Sequence, residues 1–307
     1  MPVEFSIEIP PDFNLETAVR GHGWYDLAPF SWDAEAKSLM YVLRSKNGKS
    51  ASTAWMHAVP GSLIVRLDRS TVEREKAGRD IRHILRLDDE MSEFYDVAAS
   101  KPGTQWVRAR GAGRLLRSAT VYEDLVKTLC TTNCSWGLTR NMVANLVTKL
   151  GESAGRGANA FPTAHAMASV DENFYRNEIK AGYRSPFFVE LAQKVSSGEL
   201  DPESYLHSDL PTPALKAEIT KIKGFGDYAA DNLLKLLGRN DGLALDSWLR
   251  ARFYSKYNKG KTCPDKTIIK HYAKFGKWQG LMIWCDMTED WFESKDANNS
   301  EPKSVKD

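Results

Sequence analysis

Cysteine is scarce in this 307-residue chain: Cys130, Cys134, Cys263 and Cys285 are all it has, and no two of them form a Cys-x-x-Cys pair. A disulfide framework is thereby excluded, and the four are read as reduced thiols. There is no run of about 18 apolar residues, and Met1-Pro2-Val3-Glu4-Phe5 has neither a basic start nor an apolar h-region. No membrane partner is expected; the expected location is the cytoplasm, with the nucleoid, of a prokaryote or the nucleus of a eukaryote. The six histidines are scattered without His-x-x-x-His or Cys/His ligand spacing, which argues against a metal enzyme. Neither a Gly-x-x-x-x-Gly-Lys-Ser/Thr loop nor a Gly-x-Ser-x-Gly elbow occurs, so ATPase and serine-hydrolase chemistry drop out. Charge of one sign is also missing: 42 Lys+Arg face 40 Asp+Glu, a formal +2. Bulk charge therefore does not announce a nucleic-acid binder, although local basic clusters (Arg108 to Arg117, Lys221 with Lys223, Arg250 with Arg252) allow one basic face. Asp88-Asp89-Glu90 reads as a solvated acidic helix face.

What remains is a globular composition, 42% hydrophobic and 27% charged. Short β-like runs at 5–9, 38–44 and 62–67, separated by turn clusters such as Lys46-Asn47-Gly48-Lys49, predict a small antiparallel sheet over residues 1–69. From Ser70 the apolar period lengthens: Ile81, Ile84, Leu85, Met91, Phe94 and Tyr95, then Leu125, Leu129, Met142, Val143, Leu146 and Leu150, fall on helical faces. Gly151 stops one helix, Pro162 opens another, and Pro213 sits in the first turn of a third, with a surface loop expected over 151–159. The expected fold class is mostly α with an N-terminal antiparallel β-sheet (α+β). Its helical region spans 70–293, and 294–307 is a polar, disordered tail. No internal repeat is visible.

Lys221-Ile222-Lys223-Gly224-Phe225-Gly226-Asp227-Tyr228 lies between two apolar-periodic segments. Its glycines permit a tight helix-to-helix turn and a close backbone approach, so free N–H groups at the start of the second helix can face a phosphate, with Lys221 and Lys223 beside it. An ordinary helix turn satisfies the same pattern. Twenty positions beyond Gly226, Asp246 ends a short apolar run at the head of a new helical pattern, where a plain N-cap is the simplest role.

Together the hairpin and the following Asp resemble the helix-hairpin-helix DNA glycosylase superfamily. Further stretches carry the resemblance to its 8-oxoguanine and 3-methyladenine (alkylpurine) branch: Ile81 to Leu87, Gly113-Arg114-Leu115-Leu116-Arg117, Leu125 to Asn133, Phe161-Pro162-Thr163, Ala181-Gly182-Tyr183-Arg184 and Phe275 to Gly280. The resemblance covers about residues 70–292 and implies a helix-hairpin-helix glycosylase fold with two helical subdomains. It also implies a function, excision of a damaged base from double-stranded DNA by a monomer. Asp246 becomes the catalytic carboxylate, and Gly224, Phe225, Gly226, Lys221, Lys223 and Arg250 become DNA contacts. Asn133 is implied to hold the orphaned partner base, and Trp136 is a candidate wedge, though a helix cap and core packing serve equally for these two.

Two departures bear on mechanism. Lyase-active members carry a lysine at the second position after the last hairpin glycine; here that residue is Tyr228, which implies a monofunctional enzyme. Tyr228 is then implied to lie beside Asp246 in the catalytic site, stacking on or hydrogen-bonding around the flipped nucleotide, though a half-buried helix aromatic serves equally there. A Cys-x-x-Cys cluster is absent, so no iron–sulfur cluster is implied; a monovalent cation at the hairpin is the only cofactor the resemblance allows. Ile283 stands where the 8-oxoguanine enzymes place a glutamine, and with Trp284 and Met287 it suggests an apolar pocket wall suited to alkylated or otherwise modified purines, with helix core packing the competing role. The alternative function is a glycosylase-like damage-recognition protein that has lost catalysis, or a bifunctional enzyme of the 8-oxoguanine or uracil type.

Overall fold

Alternating apolar residues near the start of the chain pair into a sheet, and the longer periods that follow wind into helices against it. The computed structural model describes residues 1–292; the expected tail at 294–307 lies outside the described residues. The strands β1 (Val3–Glu8), β2 (Ser31–Asp33), β3 (Ser38–Arg44), β4 (Ala51–Val59) and β5 (Ser62–Leu67) form one antiparallel sheet in the order β1-β5-β4-β3-β2. The short helix α1 (Leu15–Arg20) lies between β1 and β2 and is capped by the Asn14 side chain on Thr17 N.

Next come α2 (Arg74–Leu85), α3 (Ser92–Ala99), α4 (Gln105–Arg110), α5 (Val121–Thr131) and α6 (Trp136–Leu150). A two-stranded ribbon, β6 (Ser153–Gly155) and β7 (Ala158–Asn159), precedes α7 (Ala164–Ala168), α8 (Glu172–Phe174) and α9 (Ser185–Ser196). The chain closes with α10 (Thr212–Ile219), α11 (Asp227–Leu236), α12 (Ser247–Tyr257), α13 (Asp265–Tyr272) and α14 (Gln279–Thr288). The expected mixture of a mostly helical chain with an N-terminal antiparallel sheet is what the structure has.

One face of the sheet, carrying Leu39, Tyr41, Met56, Leu63 and Val65, joins the helical residues Ile81, Ile84, Phe94, Leu125, Leu129, Val143 and Leu146 in a single buried core. A polar bolt crosses that contact. Glu123 on α5 accepts a hydrogen bond from the Tyr41 hydroxyl at 2.6 Å, and its other oxygen lies 2.7 Å from Lys127 Nζ one turn later. Both charged side chains are almost wholly buried, and the lysine rests over the Phe30 ring at 4.7 Å. The other face of the sheet buries Val42 and Ala51 against Ala154 and Ala160. The segment expected as a surface loop at 151–159 is thus partly a ribbon on the sheet, with Ala154 of β6 buried against Val42 and Ala51.

Two arginines expected in an exposed basic cluster are structural. Arg114 and Arg117 are buried, and the more distant Arg86 is buried with them. Asp89, expected on a solvated face, receives Arg86 Nε at 2.6 Å and stands 3.7 Å from Arg117. Arg86 Nη1 donates to the carbonyl of Lys235 at 3.2 Å, and Arg117 Nε donates to that of Leu236. The Lys235 carbonyl also accepts Gly238 N at 3.0 Å, so the two guanidinium groups reinforce the turn that closes α11, and their charge suits the negative end of its dipole.

Candidate active site

The two hairpin glycines have different tasks. Gly224 has φ +88°, and a Cβ there would come within 2.6 Å of Leu129 Cδ1 and 2.8 Å of Phe187 Cδ2, so the turn requires glycine for both conformation and space. Gly226 caps α11 in an extended conformation (φ −91°), and a Cβ would meet nothing within 4 Å. Neither its conformation nor the space around it requires glycine. No side chain caps the first amides of α11, which remain available to an anion. Lys221 and Lys223 flank them, each exposed and paired at 2.7 Å with a surface glutamate (Glu218 and Glu190); such pairs are worth at most about 1 kcal/mol and yield readily to a phosphate. Phe225, expected among the DNA contacts, is instead buried, and its amide closes the turn on Ile222 O at 3.0 Å. Gly226→Thr keeps a good capping residue but places a branched side chain where a phosphate would approach. Duplex affinity in a titration is expected to fall about tenfold irrespective of sequence, with the melting temperature unchanged; undiminished affinity would reduce the hairpin to a turn.

Beyond α11 the chain returns through Asn240 to Leu245, held by the start of α14. Gly280 N donates to Asn240 O at 2.7 Å, and a Cβ on Gly280 would lie 1.9 Å from Gly242 O. This contact fixes the approach to Asp246, which sits at the head of α12 with extended dihedrals and accepts Leu249 N at 2.6 Å through Oδ1. The N-cap role is therefore real, and it occupies one oxygen of the carboxylate. The Tyr228 hydroxyl faces that carboxylate and the Thr131 side chain. Burial, reinforced by the charge of Asp246, pushes its pKa well up, so Tyr228 stays a phenol able to donate to Asp246.

A third group at this place is absent from the sequence reading. Lys235, two turns along α11 from Tyr228, is 2% exposed, and its Nζ has no hydrogen-bond partner among the described residues. The ammonium lies 5.4 Å from the centre of the Trp284 ring. Burial lowers its pKa to about 8, opposed chiefly by the charge of Asp246. Trp284 is the hub of an aromatic cluster, with His22 at 5.7 Å, Trp248 at 5.9 Å and Trp291 at 6.0 Å between ring centres. Its indole Nε1–H donates to Gly21 O at 2.7 Å. His22 donates from Nδ1 to Leu116 O at 3.0 Å, and burial lowers its pKa to about 3, so it is neutral at physiological pH. One wall of the site thus comes from the segment after α1, a contribution that no local pattern around His22 announces.

The remaining candidates divide. Asn133 is exposed in a left-handed conformation (φ +46°), and its Nδ2 donates to the Tyr183 hydroxyl at 3.3 Å. Tyr183, which the sequence reading gave no role, is a 49%-exposed aromatic stacked over the Arg184 guanidinium at 4.5 Å, a better shape for a wedge. Trp136 does not fit that role: its Nε1–H donates to Asp26 at 2.7 Å and its ring packs against Gly23. Arg250 is engaged by Asp265 through two 2.8 Å bonds and braces α12 against α13. Ile283 and Met287 are fully buried in the core, so of the suggested wall only Trp284 reaches the site. Among the described residues, no group of three or more His, Cys, Asp or Glu is placed to hold a metal ion.

No protein-family model and no curated protein matches the sequence. Solved structures do match. The 3-methyladenine DNA glycosylase from Archaeoglobus fulgidus is similar over 95% of this chain and 100% of its own, at 19% identity and a TM-score of 0.76. MBOgg1, solved in complex with a low-affinity DNA ligand, is similar over 95% and 96%, at 18% identity and 0.74. The Clostridium acetobutylicum 8-oxoguanine glycosylase/lyase is similar over 87% and 93%, at 17% identity and 0.67. The architecture of this chain, sheet and helices alike, is the fold of these DNA glycosylases.

Proposed function

We propose that this chain is a monofunctional DNA glycosylase that extrudes a modified purine, alkylated or otherwise altered, from duplex DNA and hydrolyses its N-glycosidic bond. The observation that carries the reading is the Asp246 carboxylate, fixed at the head of α12 and faced by Tyr228 of the helix that begins at the phosphate-ready hairpin. Bond cleavage develops positive charge on the sugar. A fixed carboxylate stabilises that charge without reorganising and orients the attacking water. Lesioned bases lose less stacking and pairing when extruded, which starts the selection before the pocket is reached. Tyr228 offers no amine where lyase-active enzymes carry their lysine, so the nucleophile in this reading is water and the product is an intact strand with an abasic site. The relatives named as an 8-oxoguanine glycosylase/lyase and a 3-methyladenine glycosylase mark the two lesion chemistries to compare.

The test is excision from labelled duplexes carrying 3-methyladenine, 7-methylguanine, hypoxanthine, 8-oxoguanine or uracil, with and without hot alkali. Strand breaks that need alkali are expected. Breaks without alkali would establish a lyase, and tight binding with no excision would establish a recognition protein.

A further inference from the structure

We propose that Lys235 reads the flipped base: its unpartnered ammonium, lying on Trp284 beside Asp246, donates a hydrogen bond to a carbonyl oxygen or ring nitrogen of an uncharged modified base and repels cationic N-alkylpurines. This rests on the glycosylase reading and narrows its substrate class.

A nucleotide whose sugar faces Asp246 has to bring its base against the aromatic cluster around Trp284. A cationic base is favoured by aromatic faces that are free of other cations. Here the Trp284 face already carries an ammonium, 5.4 Å from the ring centre. A second cation would meet it in a site of low dielectric, where like charges repel most strongly. An uncharged base presenting a lone pair instead gives the ammonium the partner it lacks in the free protein. Such a donor left buried and unmatched is costly, so a base that satisfies it gains selectivity from the difference. The carboxylates of Asp246, at the head of α12, and Asp231, on α11, favour a cation at Lys235, while burial keeps the Cys285 thiol on α14 protonated and His22 neutral. Arg86 and Lys127 also act on His22.

The experiment compares wild type, Lys235→Met and Lys235→Arg on uncharged lesions (8-oxoguanine, hypoxanthine) and cationic ones (3-methyladenine, 7-methylguanine), with borohydride trapping in parallel. Methionine fills the volume without charge, and removing an unpaired buried ammonium does not lower thermal stability, which a melting curve verifies. Lys235→Met is expected to slow excision of uncharged lesions roughly ten- to a hundredfold and to raise relative excision of cationic ones about tenfold, while Lys235→Arg keeps the wild-type order. Excision with an unchanged ratio of uncharged to cationic lesions in Lys235→Met overturns the role of Lys235 alone. No excision of any lesion by the wild type overturns the glycosylase reading as well. A borohydride-trapped adduct lost in Lys235→Met overturns base reading by making the amine the nucleophile.

Discussion

Asp246→Asn is expected to lower base excision by roughly a thousandfold or more while duplex binding stays within about twofold of wild type. The two halves of this result separate the two roles of the residue. Asparagine is as good an N-cap as aspartate, so the bond to Leu249 N and the start of α12 survive the change. What disappears is the negative charge facing Tyr228 and acting on Lys235. A purely structural Asp246 would therefore tolerate asparagine with full activity. Single-turnover excision of the preferred lesion, read beside an affinity titration and a melting curve, decides it. Full activity would remove Asp246 from the chemistry, and loss of binding in step with activity would make it a folding residue.

Glu123→Ala is expected to cost about 3–5 kcal/mol of stability, the range for a buried ion pair that loses one member. The glutamate serves two partners, the Tyr41 hydroxyl on the sheet and Lys127 on its own helix; their ion pair, at 2.7 Å, is off line for a well-directed hydrogen bond. Without it, an ammonium with no exposure remains over Phe30 and a tyrosine hydroxyl loses its acceptor. A fall in melting temperature on the order of 10 °C is expected. The double variant Glu123→Leu with Lys127→Met should recover most of the loss, since an apolar pair of similar volume carries no desolvation cost. A single variant that melts within a degree or two of wild type would show that water reaches the pair and that it does not bolt the sheet to the helices.

The residues legible in the sequence are those whose identity states a backbone requirement. Gly224 signals its positive φ and close approach, Asp246 signals a helix head, and the apolar periods of α2, α5 and α6 name their buried faces directly. Illegible were residues whose environment is assembled from distant segments. Nothing local marks Lys235 as buried, because Trp284, which it lies over, is far downstream. His22 and Gly21 meet Trp284 across most of the chain, and no local pattern encodes that meeting. The arginine run 108–117 misled for the same reason: Arg114 and Arg117 serve carbonyls and carboxylates elsewhere, and a charge count cannot distinguish a guanidinium facing water from one facing a helix end. Trp136 misleads likewise, since the acceptor that holds it, Asp26, lies in the segment after α1.

The attachment of α11 differs at its two ends, and ionic strength tells them apart. Its first turn offers exposed amides beside two exposed lysines, whose contacts to a phosphate weaken steeply as salt rises. Its last turn is gripped by Arg86 and Arg117 in the interior, where mobile ions do not penetrate and screening is slight. On the proposed function, added salt is therefore expected to loosen the protein from DNA without loosening the helix from the protein. Turnover that is limited by release of an abasic product would then speed up with moderate salt while the chemical step, measured in a single turnover on bound substrate, keeps its rate.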